Sequence, residues 1–348
     1  MKSNKNVRIF IRLIKAQTFN YITDPINIIL GIVLTTVTML CWVAFKPHDA
    51  ESGLLADSFV LASAIGISSI RNSQYNLNLT LADWRETRLV RNLLTTPVSK
   101  KVLYGSILCF NWIINIIVTL ILIVLAMLFE SQRKVITNVE WGPFLIGFIL
   151  NILLSNVMAL FLSTTFKNKE YVFIVSALSY FGPMYLLGLG IPWNVVGQIP
   201  AINIATYLAP HRYTLHLMQA AWVGNVSNMS FPGVDPGTWL DVHGFGYGGN
   251  GWWLPALVSC GFIIIFALAF YYRLKNNYQF GTRKYSKFKG IQKNINNIEL
   301  IKKAVSIDEL KAVVEFANLD HKKAKQKVKK RLKQKNLAKN EVNNNETK

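Results

Sequence analysis

The sequence predicts an all-α membrane protein with six transmembrane helices. Of its 348 residues, 51% are hydrophobic and only 16% are charged, whereas soluble domains average about 25% charged residues. The mean hydropathy is +0.29. Six apolar runs are long enough to cross the roughly 30 Å of hydrocarbon in a bilayer. Because backbone N–H and C=O groups in lipid must be hydrogen-bonded within the protein, each run should be a helix. The runs are 26–45, 54–72, 104–129, 142–166, 172–192 and 252–272.

The distribution of positive charge predicts the orientation. Of the 38 Lys and Arg residues, all but four lie before the first run, in segment 71–101, between the fourth and fifth runs, or after the last run. Basic loops stay on the cytoplasmic side of a membrane. We therefore expect a multi-pass protein of the cell membrane with both termini in the cytoplasm. The four exceptions are Lys46, Arg133, Lys134 and Arg212.

Residues 1–25 are predicted to form an amphipathic helix that lies in the cytoplasmic interface. At about 100° per residue, Lys5, Arg8, Arg12 and Lys15 share one arc, and apolar residues fill the opposite side. Such a helix places its apolar face in lipid and its cations near anionic lipid headgroups. An ordinary basic flank that fixes orientation is the alternative.

A second amphipathic helix is predicted at 83–95, between the second and third runs. Arg85, Arg88 and Arg91 share one arc, and leucines occupy the other. The residue before a proline avoids the α region, so the helix should end before Pro97. On the cytoplasmic face, a helix of this kind is suited to receive a push from a soluble partner and to pass it to the membrane helices on either side.

The remaining segments are an external region and a basic tail. Residues 193–251 are predicted to be external, with short apolar helices that are broken at Pro200 and Pro210 and are re-entrant or interfacial. Residues 273–348 are predicted to be a cytoplasmic basic tail, partly disordered because its Lys- and Asn-rich sequence has little to bury. The charge of the tail suits anionic lipid, and it equally suits RNA or a ribosome.

The sequence offers little chemistry of its own. It has no G-x-x-x-x-G-K-[ST] phosphate loop, so an ATPase that drives this protein must be a separate subunit. Segment 244–249 matches G-x-G-x-x-G by spacing alone, because it follows no predicted strand. Asp235, Asp241 and His243 could contact a cation, but a solvated loop is the better explanation of these residues. We therefore predict no enzyme activity and no catalytic, cofactor-binding or metal-binding residue in this chain.

The chain resembles the permease family of ABC-2 type transporters, which are transmembrane subunits of ABC exporters. The main match is Arg85-Glu86 followed by Leu-Leu-Thr-Thr-Pro-Val-Ser at 93–99. A looser match is Gly-Pro-Met at 182–184, followed by Gly-Leu-Gly-Ile-Pro at 188–192. The resemblance covers residues 5–272, and the basic tail matches nothing in the core of the family.

The resemblance implies a six-helix permease that pairs with a second permease, as a homo- or heterodimer, and with two ATPase subunits that bind ATP and Mg. It implies that the second and fifth spans line the substrate path and that the transport direction is export. The aromatic and apolar residues Tyr180, Phe181 and Met184 are candidates for that path. The residues expected to couple this chain to the ATPase are Trp84, Arg85, Glu86, Arg88, Arg91 and Pro97.

Two other functions remain open at this stage. A membrane-protein insertase would use the basic tail to bind a ribosome and would need a cation in a groove among the spans, for which Arg71 is the candidate. A membrane-embedded transferase acting on lipid-linked sugars would use the loop 235–243. The export substrate is not identified by the sequence; a lipid, a drug-like amphiphile, a peptide and a polysaccharide are all compatible with it.

Overall fold

A computed structural model describes residues 2–44, 59–87, 89, 100–166, 168–191, 193–197, 199–230, 244–247 and 250–277. Within these ranges the chain is almost entirely helical, and the paired extended backbone is a single bridge between Ser230 and Gly244. The all-α class predicted from the sequence agrees with this structure. The predicted tail beyond Asn277, the loop 235–243 and most of segment 88–99 lie outside the described residues.

Eleven α-helices are present in the described part of the chain, together with a short 3₁₀ helix, Ile136–Asn138. Two of them are continuous helices with a π-helical stretch inside: α2 joins Pro25–Ile28, Ile29–Val33 and Leu34–Ala44, and α3 joins Val60–Ile70, Arg71–Asn76 and Leu77–Glu86. The helices are α1 Lys2–Thr23, α2 25–44, α3 60–86, α4 Lys100–Ala126, α5 Glu130–Val135, α6 Trp141–Thr165, α7 Lys169–Leu186, α8 Trp193–Val196, α9 Pro200–Thr206, α10 Pro210–Trp222 and α11 Trp253–Asn277.

Among the residues that the structure describes, three helices are long and apolar enough to cross a membrane: they contain the stretches Val102–Ala126, Trp141–Thr165 and Trp253–Arg273. These stretches match the predicted runs 104–129, 142–166 and 252–272. A shorter apolar stretch, Gly31–Val43, lies in α2. These helices indicate a protein that is embedded in a membrane. The presence of six transmembrane helices remains a prediction.

Helix α3 differs from its prediction. The sequence predicted a span that ends at Asn72 and a separate amphipathic helix from residue 83, but α3 runs without a break from Val60 to Glu86. Polar side chains in its middle bond to neighbouring helices, so the helix does not need to leave the protein interior there. Residues 83–86 therefore form the last turn of a long helix in this structure.

Helix α3 lies at the centre of the bundle. Every residue from Phe59 to Asn78 is buried, and α3 packs against α2, α4, α6, α7 and α10. The π-helical stretches of α2 and α3 meet at Gly31, where a Cβ would lie 2.8 Å from Tyr21 Oη and 3.2 Å from Asn72 Oδ1. Glycine at this position leaves room for the Tyr21 hydroxyl and the Asn72 amide, which are hydrogen-bonded to each other.

Helix α1 packs along α4. Leu13 contacts a cluster that includes Leu103 and Ile107, and the rings of Tyr21 and Phe110 lie 5.9 Å apart. The opposite side of α1 exposes large apolar side chains, a pattern typical of a helix in a lipid interface. Its position relative to a membrane stays a prediction. The exposed apolar residues of α1 are Val7, Ile11, Phe19 and Ile22.

The predicted external region contains α8, α9 and α10. Pro200 and Pro210 each occupy the first turn of a helix, where the missing N–H breaks no helical bond. Helix α10 lies inside the bundle, packed against α3, α6 and α11. It ends at Trp222, and Gly224, two residues further on, has φ +73° and a backbone N–H that donates to Ala221 O at 3.3 Å.

Replacing Gly224 by alanine should destabilise this end of α10. A Cβ there would lie 2.5 Å from the main-chain oxygen of Asn138, and a non-glycine residue at a positive φ is strained by about 1–3 kcal/mol. We expect a lower midpoint of thermal unfolding for the detergent-solubilised Gly224→Ala protein. The matched control is Gly142→Ala in α6, where a Cβ would have no neighbour within 4 Å. Equal midpoints for the two variants would contradict the prediction.

Candidate functional site

A buried polar segment interrupts the apolar course of α3. Every residue from Arg71 to Asn78 is buried, and all except Tyr75 and Leu77 have polar or charged side chains. Residues 71–76 form the π-helical stretch, and such stretches are frequent at functional sites. Because burying unbonded polar groups is costly, the side chains of this segment must find partners within the protein.

Four surrounding helices supply those partners. Side chains of α1, α4, α7 and α10 each form a hydrogen bond with one residue of the polar segment. The segment therefore fixes the position of α3 relative to four other helices. The bonds are Tyr21 Oη to Asn72 Oδ1 (3.0 Å), Asn115 Nδ2 to Ser73 Oγ (2.7 Å), Asn78 Nδ2 to Ser176 Oγ (2.6 Å) and His211 Nε2 with Gln74 Oε1 (2.6 Å).

A fifth helix, α6, joins this network through Asn151. Its Nδ2 donates to the main-chain oxygen of Gly66 at 2.9 Å and to Ser69 Oγ at 2.6 Å. Its Oδ1 faces His211 Nδ1 at 3.2 Å and accepts from Thr214 Oγ1 at 2.8 Å. Asn151 therefore connects α3, α6 and α10 through one side chain.

Arg71 is fully buried in this segment. Its Cζ lies 3.9 Å above the ring of Tyr75 and 5.8 Å from the ring of Tyr180, and its Nη1 donates to Asn76 Oδ1. Its Nε and Nη2 have no hydrogen-bond partner among the described residues, and none of the ion pairs there includes Arg71. Burying a cation inside a membrane protein costs free energy, and such a residue commonly marks a functional site. Being fully buried, Arg71 does not line the open groove that the insertase alternative requires.

A cavity of about 300 Å³ lies between α1, α3 and α4, next to the polar segment. It extends from Asn72 and Asn76 to Asp83 and Thr87 at the end of α3. Amide, hydroxyl and carboxylate side chains line it together with apolar ones, which suits a ligand with a polar part and an apolar part.

The end of α3 is bonded to the end of α6. Arg85 Nη1 donates to the main-chain oxygens of Ser163 and Phe166, each at 2.7 Å. The last carbonyls of a helix have no partner within the helix, and a positive charge also interacts favourably with that end of the helix dipole. Arg85 therefore caps α6 and connects it to α3.

Two carboxylates at the same place connect α3 to α7. Lys169 Nζ lies 2.6 Å from Asp83 Oδ1 and 3.6 Å from Glu86 Oε2. The hydrogen bond to Asp83 and the negative charge of Asp83 raise the pKa of the Lys169 ammonium. These pairs are half-exposed and contribute little to stability, but they hold the start of α7 beside the end of α3.

The predicted coupling residues divide into two groups. Arg88, Arg91 and Pro97 lie outside the described residues. The structure places Trp84, Arg85 and Glu86 together in the last turn of α3.

These three residues face different surroundings. The Trp84 side chain is only 9% exposed and packs with Leu81 and Leu103. Arg85 bonds to α6, and Glu86 points outward, with 64% of its side chain exposed. Of the three, Glu86 is the residue that a soluble protein can contact most directly.

The candidate path residues lie together on α7. Tyr180 is buried beside Arg71, its ring centroid is 4.8 Å from that of Phe181, and Met184 belongs to the main apolar core. Their role in a substrate path stays a prediction. The sequence reasoning did not identify Asn151, His211 or the bonds of the polar segment. A signal was present, because Arg71 and Tyr75, and likewise Asn72 and Asn76, are spaced to meet on one helix face.

Residues 51–272 match the family described as ABC-2 family transporter protein. The match covers more than half of the chain. The chain belongs to the ABC-2 transporter family. No curated protein and no solved structure matches it significantly.

Membership establishes a membrane-embedded transporter subunit of the permease type and confirms the resemblance drawn from segment 85–99. Members of this family work with an ABC ATPase subunit. In the part of this ABC-2 family chain that the structure describes, no three His, Cys, Asp or Glu residues come together as a metal site would require.

Proposed function

We propose that the chain is the permease subunit of an ATP-driven ABC exporter in the cell membrane, with both termini in the cytoplasm. A separate ATPase subunit binds ATP and Mg, and this chain has no ATPase site. Two permeases, identical or homologous, form the membrane part of the complex. Helix α1 lies against anionic lipid at the inner surface.

The observation that supports coupling most strongly is the set of bonds at the end of α3. Within one helical turn, Arg85 bonds to α6, while Asp83 and Glu86 pair with Lys169 at the start of α7. A displacement applied to the last turn of α3 is thereby shared by α6 and α7. No other helix needs to contact the ATPase for these three to move together.

Helix α3 is suited to carry that displacement into the membrane. It is one continuous helix of residues 60–86. Residues 60–78 of this helix are buried and form hydrogen bonds with α4, α6, α7 and α10. Rigid elements packed in this manner move as units between discrete arrangements. ATP-driven closure of two attached ATPase subunits would move the two copies of this helix and open the substrate path to the other side.

The proposal is tested by affinity purification of the full chain from its native membrane. We expect an ABC ATPase subunit to co-purify and the complex to hydrolyse ATP. Reversing the exposed charge, Glu86→Lys, also creates repulsion with Lys169. The substitution Glu86→Lys should weaken the binding of the ATPase by roughly tenfold, which corresponds to a loss of about 1.4 kcal/mol of binding free energy.

The matched control is Glu130→Lys. Glu130 is also an exposed carboxylate paired with a lysine, Lys134 at 2.9 Å, but it lies beyond the opposite end of α4. This variant should retain the ATPase. Purification of the wild-type chain without a nucleotide-hydrolysing subunit would exclude the proposal, and purification with ribosomes instead would favour the insertase.

A further inference from the structure

The cavity between α1, α3 and α4 carries negative charge on its wall. Among the residues that the structure describes, two charged side chains line it, and both are carboxylates, Asp24 and Asp83. The buried cation of this region, Arg71, does not line the cavity, and its guanidinium instead lies over the ring of Tyr75 and near that of Tyr180 on α7. By Coulomb's law, the wall therefore favours a cationic ligand over an anionic one.

Aromatic rings form a second part of the same wall. Tyr21 of α1, Trp84 of α3 and Phe110 of α4 each line the cavity, and the rings of Tyr21 and Phe110 lie 5.9 Å apart. The face of an aromatic ring attracts a cation, most strongly in tryptophan, and proteins recognise quaternary ammonium groups by surrounding them with such rings. Two carboxylates and three rings around one cavity are therefore the composition expected of a site for an organic cation.

The size of the cavity and the rest of its wall indicate that the cation has an apolar part. The volume of about 300 Å³ lies at the lower end of the range for small-molecule sites. Leu77, Ile107 and Ile114 add aliphatic surface to the aromatic rings. Such a wall suits an ammonium group with apolar substituents better than a hydrated metal ion, which requires oxygen ligands on all sides.

Asp83 belongs both to the cavity and to the contact between α3 and α7. Lys169 Nζ lies 2.6 Å from Asp83 Oδ1, and both side chains are about half-exposed, at 47% and 49%. An ion pair that is open to solvent in this way contributes little to stability, so a second cation can compete with Lys169 for the carboxylate. Lys169 would still have Glu86 as a partner, because its Nζ lies 3.6 Å from Glu86 Oε2.

We propose that this cavity binds an organic cation with an apolar part, with Asp24 and Asp83 as counter-charges and the aromatic rings as the surface on which the cation lies. The inference rests on the proposed function, since it identifies such a cation as the class of substrate that the permease exports. A cation at Asp83 competes with Lys169, so occupation of the cavity affects the same turn of α3 through which Arg85 bonds to α6.

The test uses the full-length protein, purified in a neutral detergent, and three probes: dodecyltrimethylammonium, dodecyl phosphate and tetramethylammonium. We expect dodecyltrimethylammonium to raise the midpoint of thermal unfolding and dodecyl phosphate to leave it unchanged. Tetramethylammonium, which lacks the apolar chain, should bind at least about tenfold more weakly. Asp24→Asn should weaken the apparent affinity for dodecyltrimethylammonium by about tenfold, because it removes one counter-charge.

Asp83 and Lys169 provide a pair of variants with opposite expected effects. Asp83→Asn should weaken the apparent affinity for dodecyltrimethylammonium by about tenfold, whereas Lys169→Met should strengthen it by about threefold, because the competing ammonium is removed. Both variants break the same contact between α3 and α7, so a merely structural effect would change the affinity in the same direction in both. The control is Glu130→Gln, which removes an exposed carboxylate beyond the opposite end of α4 and should bind the probe as the wild type does.

Equal stabilisation of the wild type by both amphiphiles would overturn the inference, and so would unchanged affinity in Asp24→Asn and Asp83→Asn, or weakened affinity in Lys169→Met. Equal binding of tetramethylammonium would overturn the assignment of an apolar part. In the complex with the ATPase, dodecyltrimethylammonium should raise the rate of ATP hydrolysis severalfold, and binding without that change would overturn the assignment as substrate. Binding to the permease chain is measured without the ATPase, so failure of the inference is distinguishable from failure of the proposed function.

Discussion

Replacing Arg85 by methionine should separate ATP hydrolysis from the movement of α6. Methionine retains apolar length but removes both hydrogen bonds, at 2.7 Å each, to the main-chain oxygens of Ser163 and Phe166. We expect the complex to hydrolyse ATP while transport per ATP falls about tenfold, a typical magnitude for the loss of coupling between sites. The apolar contacts of Trp84 keep α3 in place, so insertion into the membrane should be normal.

The coupling itself is measured with spin labels at Thr87, just beyond the end of α3, and at Thr165, the last residue of α6. The labels require a background in which the free cysteines Cys41, Cys109 and Cys260 are replaced by alanine. In the otherwise unchanged protein the distance between the labels should stay constant when ATP binds, because the two helix ends move together.

In Arg85→Met that distance should change with nucleotide. Arg133→Met serves as the control, since it removes an exposed arginine that also bonds to a main-chain oxygen, Met127 O at 3.2 Å. A constant distance in Arg85→Met, together with normal transport, would show that α6 does not depend on Arg85.

The sequence predicted α4, α6 and α11 within a few residues, because each is an unbroken apolar stretch that no polar string interrupts. It did not predict the full course of α3. Hydropathy treats Asn72 and the polar residues after it as the end of a span. Only the folded protein shows that Asn115, Ser176 and His211, which lie on other helices, form hydrogen bonds with these polar residues.

The site was predicted in part for a similar reason. The motif around Arg85-Glu86 pointed to the end of α3, but the acceptors of Arg85 lie about 80 residues further along the chain, and no local pattern joins them. Arg71 was singled out as a cation among the spans. Its stacking on Tyr75 follows from helical spacing, whereas its full burial depends on α7, which brings Tyr180 against it.

The two buried arginines, Arg71 and Arg212, differ in how many of their guanidinium nitrogens are hydrogen-bonded. Arg71 leaves two nitrogens without acceptors among the described residues. Arg212, near the start of α10, is bonded by both terminal nitrogens: Nη1 donates to Asn203 and Thr206, and Nη2 donates to Phe245 O at 3.0 Å. Only the Nε of Arg212 has no acceptor among the described residues, and hydrogen bonds at both terminal nitrogens of a buried charge indicate a structural role.

Replacing Arg212 by methionine should therefore damage the fold itself. The substitution removes the Arg212 bonds to Asn203 Oδ1 and Thr206 Oγ1 on α9 and to Phe245 O, and it removes a guanidinium that lies 3.7 Å from the ring of Tyr207 and 4.9 Å from that of Trp193. The expected cost is about 3 kcal/mol, because each buried acceptor left unbonded costs about 1–3 kcal/mol and the sites are not additive.

Hydrogen exchange measures this loss locally. In Arg212→Met the amides of α9 and of residues 244–247 should exchange faster, while those of α4 keep their protection, because Arg212 bonds to the former and not to α4. Arg212→Lys should recover only part of the protection, since an ammonium cannot bond to both sets of acceptors in one plane. Lys134→Met, which removes a charge that is exposed, should leave exchange unchanged. Normal protection of α9 in Arg212→Met would mean that the aromatic rings alone hold this region, and that the guanidinium is dispensable for it.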